Sequence, residues 1–237
     1  MVRKIGILLV VLAVGGMFFL LYAAYTPGSS LGQVAAHYAG RGAAELGSAN
    51  LVTAVVVTYR GLDTLGEVVI LFLAATVLGL LLREHGESTD HPGNSPSEIL
   101  CTGAAVLTPL VLLLGVFVFL HGHLTPGGGF QGGAIMAVAA LLSLLAQPRR
   151  KRARRLLHLV ESMSGLTYLA LGILGIFWAG GFLDNRILAL GTPGQLLSAG
   201  AIPLIYVLIG LKVGAELAGI LTGLRDGSSA AEEEPHG

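Results

Sequence analysis

The chain has 237 residues, of which 54% are hydrophobic and 12% charged, and its formal net charge is zero. A soluble domain carries about 25% charged residues, so these values and a mean hydropathy of +0.78 exclude an ordinary soluble domain and imply a polytopic membrane protein. The balanced charge gives no footprint for nucleic acid, and the single cysteine, Cys101, excludes an intrachain disulfide.

A bilayer-spanning helix needs about 20 apolar residues. Six stretches meet that need: residues 5–24, a segment within 50–82, then 99–120, 130–146, 156–182 and 196–224. The expected fold is therefore all-α, with about six transmembrane helices. Arg3 and Lys4 before the first stretch fit a retained helix, with a cleaved signal peptide as the alternative. Arg149, Arg150, Lys151, Arg152, Arg154 and Arg155 lie between the fourth and fifth spans. The positive-inside rule puts that loop, and by counting both termini, on the cytoplasmic side. Residues 83–98 are polar and turn-rich and read as a cytoplasmic linker between a two-span module (1–82) and a four-span domain (99–224). Residues 225–237, with Glu232, Glu233 and Glu234, read as a disordered tail. Cys101 reads as a packing residue near a helix start.

The second span holds Arg60, Asp63, Thr64 and Glu67, spaced to form one polar stripe on a helix. A charge at the bilayer centre costs at least about 2.5–3.5 kcal/mol, so the stripe must face protein or water. Residues 50–82 would make roughly 50 Å of helix, so the segment must tilt, protrude or break, and Gly61 and Gly66 favour a break. The stripe reads as a proton or cation relay centred on Glu67 or Asp63. An internal ion pair that fixes helix register is the alternative.

Between the third and fourth spans runs Gly122-His123-Leu124-Thr125-Pro126-Gly127-Gly128-Gly129-Phe130-Gln131-Gly132-Gly133. Its formal dinucleotide fingerprint lacks the preceding strand that such a site requires, so nucleotide binding is rejected. Gly127, Gly128, Gly129, Gly132 and Gly133 instead let the fourth helix approach a neighbour closely. His121 and His123 lie just before these glycines, either as interfacial residues or at a proton entry or exit. No ligand set of metal spacing accompanies them. Lys212 and Glu216 are four residues apart on the sixth span. With His158 and Glu161 of the fifth they form a candidate cytoplasmic half-channel; alternatively Lys212 snorkels to the interface and Glu216 neutralises it. Pro109 and Pro203 are expected inside helices, as kinks or as sources of free carbonyls. No nucleophile–histidine–acid set and no flavin, haem or iron–sulfur pattern is present, so the chain does not read as an enzyme on its own and no cofactor is expected.

The stretch FLHGHLTPGGGFQGGAIMAVAALL within 99–147, with GLKVGAELAGIL at 210–221, resembles the MnhB-type (MrpB-type) subunit of the multisubunit sodium/proton antiporters known as Mrp, or Mnh. Similar subunits occur in membrane-bound hydrogenases and ferredoxin-linked sulfur-reducing complexes. The earlier stretch NLVTAVVVTYRGLDTLGEVVILFLAA is similar to the small E subunit of those hydrogenases and to the C-terminal end of the large A subunit of the antiporters. There an Arg-Gly-x-Asp-Thr-x-Gly-Glu pattern recurs, falling here on Arg60, Gly61, Asp63, Thr64, Gly66 and Glu67. The chain thus resembles a fusion of two neighbouring subunits.

The resemblance implies a multi-pass subunit of a plasma-membrane sodium/proton antiporter complex. Its implied partners are large subunits related to those of respiratory complex I, together with small antiporter subunits. Asp63, Thr64, Glu67 and His123 are its implied cation or proton residues. His121 stands where the family often has arginine, and Glu216 adds an acid where a small residue is common. A scaffold role is one alternative. Another is a subunit of a membrane-bound hydrogenase or related redox complex, with redox subunits as partners.

Overall fold

The computed structural model describes residues 2–25, 31–84, 96–147 and 154–231. Residues 85–95 of the expected linker, the basic residues Arg149 to Arg152, and the acidic tail residues Glu232 to Glu234 lie outside the described residues. The described structure is helical, without strands, and six of its helices are long and apolar enough to cross a membrane.

Residues 1–37 and 38–237 form two compact units. In the first, α1 (Val2–Ala24) is an apolar helix whose described side chains are all exposed, as a lipid-facing helix requires. The helix α2 (Gln33–Leu46) follows; it is too polar to register as a span, and the sequence pattern does not predict it.

The second unit holds the packed helices. Short α3 (Leu51–Thr53) is capped by Asn50, whose Oδ1 accepts from the Val52 and Thr53 amides at 3.1 and 3.4 Å. It runs into a π-helical turn, Ala54–Tyr59, and stops at Arg60, where φ is −119° and ψ is 36°. The β-branched run Val55 to Thr58 crowds a regular α-helix, which favours the wider turn. Thr64 Oγ1 donates to the Val56 carbonyl at 2.7 Å, a contact that the break opens. The spanning helix α4 (Gly61–Glu84) then begins. The expected break is therefore real, and residues 50–59 are not part of the span.

Helix α5 (Glu98–Leu120) is capped by Ser97 and carries Pro109 in its interior, as expected. It turns through residues 121–128 into α6 (Gly129–Ala146). The remaining long helices are α7 (Arg154–Trp178) and α8 (Ile202–Ala231). Three expected boundaries are corrected. The fifth span ends at Trp178 rather than 182, the sixth begins at Ile202 rather than 196, and its helix continues to Ala231, through the first residues of the tail expected to be disordered from 225. Residues 179–201 form an irregular segment with one 3-10 turn, Asn185–Ile187, and only its apolar ends continue the runs of the adjoining spans. Pro203 is also corrected. It occupies the first turn of α8, where its missing N–H breaks no bond, so it neither kinks the helix nor frees a carbonyl.

Helix α8 is the spine: 61% of its spanning window is buried, against 11% in α4. The glycine run sets its packing. A Cβ on Gly129 would lie 2.6 Å from Ile209 Cβ, and one on Gly133 would lie 2.8 Å from the Gly210 carbonyl oxygen. One on Gly132 would lie 2.7 Å from the Gly115 carbonyl oxygen. Only glycine lets α6 lie this close to both α8 and α5. Gly128, with φ of 153°, supplies the turn into α6 that other residues rarely adopt.

Candidate functional site

Two polar regions occupy the second unit. The first is a cap at one end of the helices, where α4 and α8 begin and α5 and α7 end. Ser48 Oγ donates to the His123 carbonyl at 3.0 Å. Asn50 Nδ2 donates to the carbonyls of Gly122 and Thr125 at 2.8 and 3.0 Å, and Thr53 Oγ1 donates to Gly122 at 2.7 Å. Tyr206 OH from α8 donates to Thr53 Oγ1 at 2.8 Å. Asn185 is fully buried and donates to the Leu46 and Ala199 carbonyls at 2.8 and 2.9 Å. Side chains thus supply donors to the Gly122, Thr125 and Leu46 carbonyls and add a second donor to those of His123 and Ala199, which backbone amides also reach.

His123 lies inside this cap, with 0% of its surface exposed. The expectation of an interfacial histidine is corrected: residues 179–201 fold over it, and its Nε2 donates to the Gln195 carbonyl at 3.3 Å. Burial pushes its pKa below the ordinary histidine value, partly opposed by the Gln195 carbonyl. His121 stays half-buried at the end of α5, its ring stacked on Phe117 with centroids 4.2 Å apart.

Two hydrogen-bonded pairs, Asp184 with Arg186 and Tyr59 with Glu45, belong to the cap. Burial disfavours the Asp184 carboxylate, but hydrogen bonds and charge from Arg186 outweigh it and hold the carboxyl below its usual range. Tyr59 donates to Glu45 Oε2 at 2.5 Å, and burial together with that carboxylate pushes its phenol to about 12.

The second region runs down the helices. Lys212 Nζ pairs with Glu216 Oε1 one turn along α8, and the two side chains are 8% and 0% exposed. Lys212 therefore does not snorkel; it lies 5.1 Å over the Phe72 ring of α4, a cation–π contact. A Cβ on Gly165 of α7 would sit 3.4 Å from Lys212 Cδ and Cε, so the missing side chain makes room for the lysine stem. Glu161 of α7 lies within electrostatic reach of Glu216 and pairs with His158 at 3.5 Å. The four residues expected as a half-channel are thus brought into one neighbourhood.

At 1.5 Å per residue, Lys212 lies about 15 Å and Glu216 about 21 Å from the start of α8, near the middle of a core about 30 Å thick. Counted the same way, Glu67 lies about 9 Å from the start of α4 and Glu161 about 25 Å from the end of α7.

The expected stripe on the second span is corrected in part. Arg60 falls at the helix break, so the stripe is not continuous. Arg60 and Asp63 pair with each other at the exposed cap end, their side chains 63% and 51% exposed. Glu67 is also exposed, whereas Thr64 is 2% exposed and turns into the core. Sequence reading misses the buried Asn185, the Asp184–Arg186 pair and the buried Tyr168; only the spacing of 161, 165 and 168 on one helix face points to the last.

Comparisons with known proteins agree with this architecture. Residues 1–94 match the MbhE family, described as the E subunit of MBH. A probable K(+)/H(+) antiporter A/B subunit of Rhizobium meliloti is 33% identical over 190 residues, covering 68% of this chain and 19% of that protein. A chain of an archaeal membrane-bound sulfane sulfur reductase superposes with a TM-score of 0.81 at 39% identity, covering 94% of this chain and 98% of the other. A chain of the Mrp complex from Dietzia sp. DQ12-45-1b gives 0.77 at 25% identity, covering 94% and 26%. Residues 99–219 match the domain related to the MnhB subunit of Na+/H+ antiporters, and with half of its length in that domain the chain belongs to the MnhB-related family of multi-pass membrane proteins.

Proposed function

We propose that this chain is a transport subunit, not itself a catalyst, of a multisubunit monovalent cation (Na+)/proton antiporter complex. It contributes a charge-transfer column through α4, α7 and α8. The observation that carries the proposal is the buried Lys212–Glu216 pair near mid-membrane. Two charges cost several kcal/mol each to desolvate, and a Leu pair would pack α8 more simply. In a low-dielectric site the ion pair and its proton-exchanged neutral form lie close in energy, so a proton moves between them readily.

On this reading Asp63 and Glu67 receive protons or cations at the cap end, and Glu161 and His158 exchange them at the other. Lys212 and Glu216 form the step between. The exposed carboxylate of Glu67 at membrane depth calls for cover by another subunit, since lipid would penalise it. Thr64 and Arg60 position the top of α4, and His121 and His123 belong to the cap. The cap faces outward if the basic run at Arg149 to Arg155 is cytoplasmic, which puts both termini inside.

A second reading has a specific observation in its favour. The chain covers 98% of the matched chain in the sulfane sulfur reductase complex but 26% of the one in the Mrp complex. This supports a subunit that serves as the ion-translocating arm of a redox complex, its partners including redox subunits.

The test is purification of the complex through a tag on this chain, identification of its components by mass spectrometry, and exchange assays in vesicles. Glu216→Gln is expected to co-purify with all partners and to abolish cation/proton exchange. Intact exchange in that variant would remove the column from the function. Redox subunits in the wild-type preparation would decide for the second reading.

A further inference from the structure

The column has a gap between Glu67, about 9 Å down α4, and Lys212, about 15 Å down α8. One residue stands in it that neither the family matches nor the sequence pattern assigns. Tyr168 of α7 is 1% exposed, packed in the core that includes Val68 of α4 and Ile205 and Ile209 of α8. Its hydroxyl is buried and has no hydrogen-bond partner among the described residues. An unmade hydrogen bond of this kind destabilises the fold, and phenylalanine would fill the same space without that penalty.

The position is specific. Glu161, Gly165 and Tyr168 follow one another at four and three residues, so they share one face of α7. Gly165 is the residue that abuts the Lys212 stem. Tyr168 is one turn from it towards the cap, and α7 side chains lean towards its N-terminus, that is, towards Lys212. On its other side Tyr168 lies within electrostatic reach of Glu67.

We propose that Tyr168 is the proton-relay residue that joins Glu67 to the Lys212–Glu216 pair. The phenol passes its own proton on to an oxygen or amine on one side and takes up a proton from the other. The O–H bond it loses is replaced, and the hydroxyl then rotates back. No net charge is left on the tyrosine, and no oxidant or reductant is involved. This inference rests on the column proposed above and extends it by one residue.

The test uses the intact complex in vesicles. Tyr168→Phe keeps the ring and its packing and removes only the hydroxyl. The expected result is a fully assembled complex with at least a tenfold fall in exchange rate and little change in the cation concentration for half-maximal rate. Replacing Tyr168 alone by 3,5-difluorotyrosine, which makes the phenol more acidic, is expected to shift the pH profile of exchange towards lower pH. A purely structural tyrosine would not move that profile. Exchange within twofold of wild type in Tyr168→Phe, or an unshifted profile in the fluorinated protein, overturns the relay role. Glu216→Gln in parallel separates the two levels: if it stops exchange while Tyr168→Phe does not, the column stands and the tyrosine bridge falls. If neither variant affects exchange, both fall.

Discussion

In the cap, Asn185 spends both amide hydrogens on main-chain carbonyls, and Asn50 does the same from another element. In the column, Glu216 is equally buried but has one oxygen on Lys212 and the other without a partner among the described residues. Both regions are polar and lie in an apolar protein. The cap bonds the non-titrating side chains of Ser48, Asn50, Thr53 and Asn185 to main-chain carbonyls, which stabilises one conformation. The column uses titratable side chains that bond each other, which leaves more than one protonation state within reach. Burial alone does not separate the two; the partner of each buried group does.

The largest effect should come from removing the column while keeping its volume. The double variant Lys212→Met with Glu216→Leu replaces a buried pair by apolar groups, a change that is often neutral or stabilising. Its expected outcome is normal thermal stability of the complex with exchange below detection. Glu216→Leu alone leaves the Lys212 charge uncompensated and should cost about 3–5 kcal/mol of stability, read as a lower melting temperature than the double variant's. Equal melting temperatures would mean that the pair carries no strong coupling.

Next comes the packing that both regions share. Gly133→Leu places a side chain where a Cβ already lies 2.8 Å from the Gly210 carbonyl oxygen. Overpacking costs about 1–3 kcal/mol and more where backbone must move. Loss of partner subunits on co-purification is the expected readout. Cap chemistry should weigh less. Asn185→Ala removes the side-chain donor to the Leu46 carbonyl and one of the two donors to the Ala199 carbonyl, at about 1–3 kcal/mol, and lowers the melting temperature while the exchange rate of assembled complex stays near wild type. A selective loss of exchange would move the functional site into the cap.

The smallest effect is the pH dependence of the cap. His123 has a pKa lowered by burial, so the unfolded chain binds its proton first as pH falls. The contribution of the neutral histidine is then complete above about pH 6.5 and declines below it as pH drops towards the folded-state value. Melting temperatures between pH 8 and 5 should show this decline in wild type and a flatter profile in His123→Asn. Identical profiles would assign the titration to another group.

Much of this fold is legible in the sequence because a span needs only length and apolarity. The six spans stand where hydropathy places them, and the break before Gly61 follows from a segment too long for one crossing. The ends are misread because residues 179–201 are an irregular segment in which Leu183 is buried while Leu196 and Leu197 stay exposed, and hydropathy does not distinguish an apolar loop from a helix. Helix α2 escapes notice because it is weakly apolar. The glycine run is readable as packing, since a cluster of small residues next to a span has few other uses. His123 is not, since its burial depends on Gln195, which lies 72 residues further along the chain. Lys212 and Glu216 are visible by their spacing, but whether the lysine reaches the interface depends on Phe72 and Gly165 from other helices. Tyr168 shows only in the spacing of 161, 165 and 168 on one face of α7, which by itself assigns it no role.

The bonds from Ser48, Asn50 and Thr53 to residues 122–125 have one more consequence. Their donors lie in the stretch that matches the MbhE family, and their acceptors in the stretch that matches the MnhB-related domain. A contact that two separate polypeptides would have to find by diffusion in the bilayer is here made within one molecule. Tethering raises the effective concentration of each stretch for the other to the millimolar range for a short linker. It also fixes their ratio at one to one from the moment of synthesis. The hydrogen bonds can then be few and ordinary, because covalent continuity has already done the work of assembly.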